Sequence, residues 1–280
     1  MTDKKSPLIR PSTIKGDANI IIDARSGPGA FDRYLESHLR TAIHVDLDRD
    51  LSTKPIEPAY GGRHPLPDIK DFSLLLGKLG VTPSSSVIIY DDKNGANAAA
   101  RLWWMLRAVG HEKVKVVDGG LDAIMRDGLT MASGEEARNP TSAYPADHWL
   151  LPTVTLNEVI DQVESKEFLV IDVRESYRYR GDAEPIDLVA GHIPGAINIP
   201  YLENLAEDGS FLPSEELAKL YKSEISDRPS SNIIIYCGSG VTACHTLLAL
   251  EHARITGANL YVGSWSEWSR RGLPIATSDK

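Results

Sequence analysis

The chain repeats itself, and a sequence built from two copies of one unit folds as two copies of one domain. Ile21-Ile22-Asp23-Ala24-Arg25 returns as Val170-Ile171-Asp172-Val173-Arg174. Ser37-His38-Leu39-Arg40-Thr41-Ala42 returns as Gly191-His192-Ile193-Pro194-Gly195-Ala196. Val87-Ile88-Ile89-Tyr90-Asp91 is matched by Ile233-Ile234-Ile235-Tyr236-Cys237, and Asp118-Gly119-Gly120-Leu121 by Val262-Gly263-Ser264-Trp265. Four matches in the same order, at a nearly constant offset, define two homologous halves. Between them, residues 131–152 hold Gly134, Pro140, Pro145 and Pro152 among small and polar residues, the composition of a linker. The expected organisation is a domain over 1–130, a linker over 131–152 and a second domain over 153–280.

Short β-branched runs alternate with helical stretches in both halves. The runs 20–22, 87–90 and 114–117 correspond to 168–171, 233–236 and 259–262. Strands that read as continuous apolar runs are buried on both faces, and helices between them imply parallel pairing. The segment from Arg101 to Val109 reads as a helix that ends at Gly110. The fold class is therefore α/β, with a parallel sheet flanked by helices in each half. Acids outnumber bases 39 to 30 for a net charge of −9, which argues against a nucleic-acid-binding surface. No apolar run reaches the roughly 18 residues of a membrane span, and the start MTDKKSPLIR lacks the apolar segment of a secretory signal. Two cysteines in 280 residues form no disulfide scaffold and point to a reducing compartment, the cytoplasm or a mitochondrion.

Cys237 directly follows a buried strand and opens Cys237-Gly238-Ser239-Gly240-Val241-Thr242-Ala243, which leads into a helical run over 243–253. Ligands of parallel sheets bind at the carboxyl ends of the strands. The glycines permit a tight turn whose N–H groups converge, and the helix start behind it adds positive potential. A cysteine in that position is expected to be a reactive thiolate. Cys244, further into the helix, reads as core. The scattered histidines form no metal-ligand pattern, and no Gly-x-Gly-x-x-Gly nucleotide loop occurs.

The Asp-x-Arg and Gly-His-Ile-Pro-Gly-Ala motifs, the cysteine loop and the terminal Gly263-Ser264-Trp265-Ser266-Glu267-Trp268 together resemble the rhodanese superfamily. Within it, the loop is similar to that of the 3-mercaptopyruvate sulfurtransferases. The resemblance implies tandem rhodanese-like domains, the first inactive because Asp91 replaces the cysteine, the second catalytic through a Cys237 persulfide, with no cofactor. It implies a small-molecule sulfur donor and, as acceptor, thioredoxin, a low-molecular-weight thiol or cyanide. Gly238, Gly240, Val241 and Thr242 are expected to hold substrate, and Arg178 to bind the donor's carboxylate.

Val45-Asp46-Leu47-Asp48 and His64-Pro65-Leu66-Pro67 resemble segments that supply an Asp-His-Ser relay, here Asp48, His64 and Ser239. The family often carries a second arginine after a Glu-Pro pair. Here Glu184-Pro185 is followed by Ile186, with Arg180 as the nearest basic stand-in. His192 and His38 are expected to be structural, and Trp103, Trp104, Trp265 and Trp268 to be packing residues.

Three other functions compete. Thiosulfate sulfurtransfer is the nearest, but its dianionic donor favours cations beside the cysteine, and Gly238 and Ser239 supply none. Cysteine phosphatases need an arginine six residues after the nucleophile, where this chain has Ala243. Non-catalytic rhodanese-like modules typically lose the cysteine, which this chain keeps.

Overall fold

The computed structural model describes residues 6–14, 19–165 and 167–277. The sequence repeat becomes a repeat of topology. The first half contributes β1 (Leu8–Ile9), β2 (Asn19–Asp23), β3 (His38–Leu39), β4 (Ile43–His44), β5 (Ser86–Tyr90), β6 (Val114–Val117) and β7 (Met131–Ala132). The second contributes β8 (Thr153–Val154), β9 (Leu169–Asp172), β10 (Ile197–Asn198), β11 (Ile233–Tyr236) and β12 (Asn259–Tyr261). One sheet runs β1-β6-β5-β2-β4 and the other β8-β12-β11-β9-β10, every pairing parallel. The register repeats as well, since Asp23 lies opposite Tyr90 and Asp172 opposite Tyr236.

Helices α1 (Ala30–Glu36), α2 (Leu47–Asp50), α3 (Ile69–Lys78), α4 (Ala98–Ala108) and α5 (Gly120–Arg126) belong to the first half. The second half contributes α6 (Leu156–Ser165), α7 (Ser176–Arg180), α8 (Ser214–Ile225), α9 (Thr242–His252) and α10 (Ser264–Trp268). The helix after each central strand is apolar nearly all round because it is buried nearly all round: Ala98–Leu106 in α4 and Ala243–Leu250 in α9 are all buried. Among the described residues no helix is long and apolar enough to cross a membrane.

Each Asp-x-Arg motif is a buried ion pair that ties a strand end to the loop after it. Arg174 donates to both carboxylate oxygens of Asp172 and to the Gly191 carbonyl at 2.6 Å. Arg25 does the same with Asp23 and the Ser37 carbonyl. Removing one partner leaves an uncompensated buried charge, a loss of about 3–5 kcal/mol. The two motif histidines are structural, as expected. His192 donates from Nδ1 to the Tyr179 carbonyl and stacks on that ring, and His38 repeats both contacts with Tyr34.

The compact units do not follow the repeat boundary. One comprises the chain up to Thr53, Leu66–Leu151 and Glu207–Phe211; the other comprises Lys54–Pro65, Pro152–Ala206 and the chain from Leu212. The segment read as a linker packs on the first unit. Met131–Ala132 pairs antiparallel with His38–Leu39, Tyr144 is buried, and Gly77 gives Ser142 room for its carbonyl.

Candidate active site

Cys237 stands at the carboxyl end of β11, the central strand, and is buried. Its loop turns through Gly240, whose φ is +72° and whose Cβ, if present, would lie 2.5 Å from the Val262 carbonyl. Any other residue there would be strained in backbone and in space. Val241 is the residue before α9, and Thr242 is its first residue. Cys244 is fully buried in α9, with its thiol 3.3 Å from the Gly240 carbonyl.

The terminal Gly-Ser-Trp-Ser-Glu-Trp motif does more than pack. It is the platform on which the loop rests. Cys237 N–H donates to Ser264 Oγ at 3.2 Å, while the N–H groups of Trp265 and Ser266 donate to the carbonyls of Cys237 and Gly238. The same helix holds segment 54–65. Gly61 N–H reaches Glu267 at 2.8 Å and Arg63 N–H reaches Ser266 Oγ at 3.0 Å. Gly62, at φ +81°, sits so close that a Cβ would be 2.4 Å from the Gly263 carbonyl. Thus one short helix fixes both the cysteine loop and a segment distant in sequence.

That segment delivers His64, whose Nδ1 lies 2.7 Å from Ser239 Oγ. Asp48 lies on α2 in the first unit, where its backbone N–H is capped by Asp46. Arg178, on α7, reaches the loop: its Nη2 would be 3.4 Å from a Cβ on Gly238. Its donors are already engaged, with Nε and Nη2 on Glu184 and Nη1 on Glu175. Arg180 is half-exposed and pairs with Asp182. Arg63, which sequence reading passed over, comes closer than either, 3.0 Å from the same point on Gly238. The diglycine before His64 was the available signal, since it marks a backbone pressed against something. The loop residues themselves are uncharged, yet two guanidinium groups and the Asp187 carboxylate border Gly238, so the loop sequence alone does not show the charged groups around the site.

Burial pushes the Glu184 carboxyl up, but hydrogen bonds from Arg178 and from the Asp187 and Ile186 N–H groups outweigh it and hold it below its ordinary value. A depressed folded value means that ionised Glu184 stabilises the fold at neutral pH, and that this contribution disappears as pH falls through that lowered value. Glu184→Gln should therefore cost about 1–3 kcal/mol at pH 7. Thermal unfolding of the two proteins should begin to converge as the pH falls below 4.5, the ordinary value for a glutamate, and should coincide only below the lowered folded value. A gap that persists unchanged in acid would show that shape, not charge, holds Arg178.

The first half shows what such a loop does with an anion. The Asp91 carboxylate, fully buried at the end of β5, accepts from the N–H groups of Lys93, Gly95, Asn97 and Ala99 at 2.8–3.1 Å. Burial raises the carboxyl against those four bonds. The loop is filled by its own side chain. The repeat puts Ser239, Val241 and Ala243 where Lys93, Gly95 and Asn97 stand.

Comparison with known proteins agrees with this layout. A rhodanese-like domain matches residues 12–127 and again 155–271. A probable 3-mercaptopyruvate sulfurtransferase of Pseudomonas aeruginosa is 42% identical over 88% of this chain and 86% of its own. A putative thiosulfate sulfurtransferase of Mycobacterium tuberculosis, SseB, is 37% identical over 91% and 89%. The solved structure of 3-mercaptopyruvate sulfurtransferase from Leishmania major superimposes with a TM-score of 0.84 at 30% identity, covering 96% of this chain and 75% of that one. With two matched domains and relatives aligned over most of their length, the chain belongs to the rhodanese family.

Proposed function

We propose that the protein is a sulfurtransferase that takes sulfur from 3-mercaptopyruvate and passes it to a thiol or to cyanide. The Cys237 thiolate attacks the donor sulfur, forming an S–S bond as the donor's C–S bond breaks and its electron pair leaves on the pyruvate enolate. The enolate takes a proton, and the outer sulfur stays on Cys237 as a persulfide anion. An acceptor thiolate or cyanide then attacks that sulfur and regenerates the Cys237 thiolate, a two-step covalent cycle. By analogy with the Asp91 carboxylate, the loop N–H groups hold the persulfide anion. Gly238 keeps the approach to it open, Gly240 permits the tight turn against Val262, and Val241 and Thr242 start the helix behind it.

The observation that carries the reading is the 2.7 Å contact between Ser239 Oγ and His64 Nδ1 beside the cysteine loop. An enolate needs a proton and this pair can relay one, whereas sulfite, the product of thiosulfate, leaves without one. Asp48 enters the proposal on the resemblance of its motif alone, as do the cytoplasmic setting and thioredoxin among the acceptors. Arg178 contributes positive charge at the carboxylate end.

Steady-state kinetics with both donors tests the reading. kcat/KM should favour 3-mercaptopyruvate over thiosulfate by at least about tenfold, or roughly 1.4 kcal/mol of transition-state preference. A preference for thiosulfate would replace the donor and leave sulfur transfer standing.

A further inference from the structure

We propose that residues 185–190 form the docking surface for a protein that brings its own thiol to Cys237. The proposal rests on Cys237 being the sulfur carrier, and it names the kind of molecule that takes the sulfur away. Soluble surfaces turn charge outward and apolar side chains inward. Here the order is reversed. The Glu184 carboxylate turns in onto Arg178, and that of Asp187 onto Arg63 and Arg270. Pro185, Ile186, Leu188 and Val189 face solvent, with Ile186 55% and Leu188 72% exposed.

This surface is held in place and lies against the site. The Ile186 and Asp187 N–H groups donate to Glu184 Oε1 at 3.0 and 3.1 Å, and Trp265 Nε1 donates to the Val189 carbonyl at 2.8 Å. A backbone fixed in this way presents its side chains with little ordering cost on binding. Asp187 Oδ2 lies 3.7 Å from where a Cβ on Gly238 would stand, so the apolar side chains before and after it flank the opening beside Cys237. Segment 54–65, which brings Arg63 to the same point, exposes Ile56 and Tyr60. Five of the twelve large apolar side chains that the described residues expose thus stand on the two segments bordering the loop, a concentration that marks a contact surface.

The chemistry selects the occupant. Cyanide or a small thiol needs only the gap at Gly238 and gains nothing from side chains that face away from it. What the rim adds is apolar area, because the carboxylates around the gap are already paired with arginines. The fitting partner is a folded protein with its thiol at the centre of an uncharged, apolar surface, whose burial around the sulfur supplies the affinity. Its thiolate attacks the outer sulfur of the Cys237 persulfide. A new S–S bond forms on the partner as the old one breaks, and the electron pair returns to Cys237 as the thiolate. The partner leaves as a persulfide, with no outside oxidant or reductant.

The test loads the full chain with sulfur from 3-mercaptopyruvate and follows the loss of about 32 Da from Cys237. Reduced thioredoxin is the protein probe, and 2-mercaptoethanol and cyanide are the small acceptors. Ile186→Gln combined with Leu188→Gln replaces two exposed apolar side chains with neutral polar ones. The second-order rate constant with thioredoxin should fall at least about tenfold. Sulfur loading and the rates with both small acceptors should stay within about twofold of the parent. An unchanged thioredoxin rate, or equal losses with all three acceptors, would overturn the proposal. So would a parent dimer that the double variant splits with every acceptor rate unchanged, since the surface would then belong to a second copy of this chain. If the double variant fails to take up sulfur, the two single variants are read by the same criteria. Failure of the parent itself to gain sulfur at Cys237 from any donor would instead bring down the reading of function, and this proposal with it.

Discussion

Cys237→Ser is expected to abolish sulfur transfer while leaving the fold intact. Serine preserves the shape of a small side chain at the end of β11, where Cys237 is held through its backbone by Ser264 and Trp265 rather than through its sulfur. A hydroxyl in that position can neither displace an enolate from sulfur nor carry a persulfide. Turnover with either donor should fall by at least about three orders of magnitude, as it does when a covalent nucleophile is removed. The unfolding free energy should stay within about 1 kcal/mol of the parent's, as expected for a near-isosteric change that breaks no buried network. Residual activity above a few per cent would mean that another group carries the sulfur. The other cysteine, Cys244, is fully buried, so a sulfur that appears there would be an equally clear refutation.

The second large effect belongs to His64. His64→Ala removes the partner of Ser239 Oγ but leaves Gly61 and Arg63 anchored on α10 through their backbone N–H groups. Turnover with 3-mercaptopyruvate should fall by roughly 10²–10⁴-fold, the usual worth of general acid–base help. Thiosulfate is the internal control. Its sulfite product needs no proton, so the same variant should lose little with that donor. Equal losses with both donors would make His64 a structural pin for the loop, and no loss with either would remove it from the mechanism.

These predictions divide between what could be read along the chain and what could not. The four-residue runs 87–90 and 233–236 that fall in β5 and β11, the Asp-x-Arg motifs and the cysteine loop were legible because each is local. An apolar run, a charged pair two residues apart and a strand–Cys–Gly–x–Gly–helix sequence dictate their own geometry over fewer than ten residues. The short strands β1, β4, β8 and β10 were not legible. Two residues carry no periodicity, and only the neighbouring strand supplies their hydrogen bonds. His64 was named on motif resemblance, and its contact with Ser239 bridges residues 175 apart in the chain.

The repeat and its local motifs determined the two parallel α/β sheets, which half carries a thiol, and which loop presents it. Only the tertiary structure decided the surroundings of that loop. Docking of 54–65 on α10 puts Arg63 beside Gly238, where the sequence offered an isoleucine and an uncharged loop. The physical reason is range. Backbone propensity and burial act between near neighbours, whereas a site's charge is the sum of every group that folding brings within a few ångströms, whatever its place in the chain.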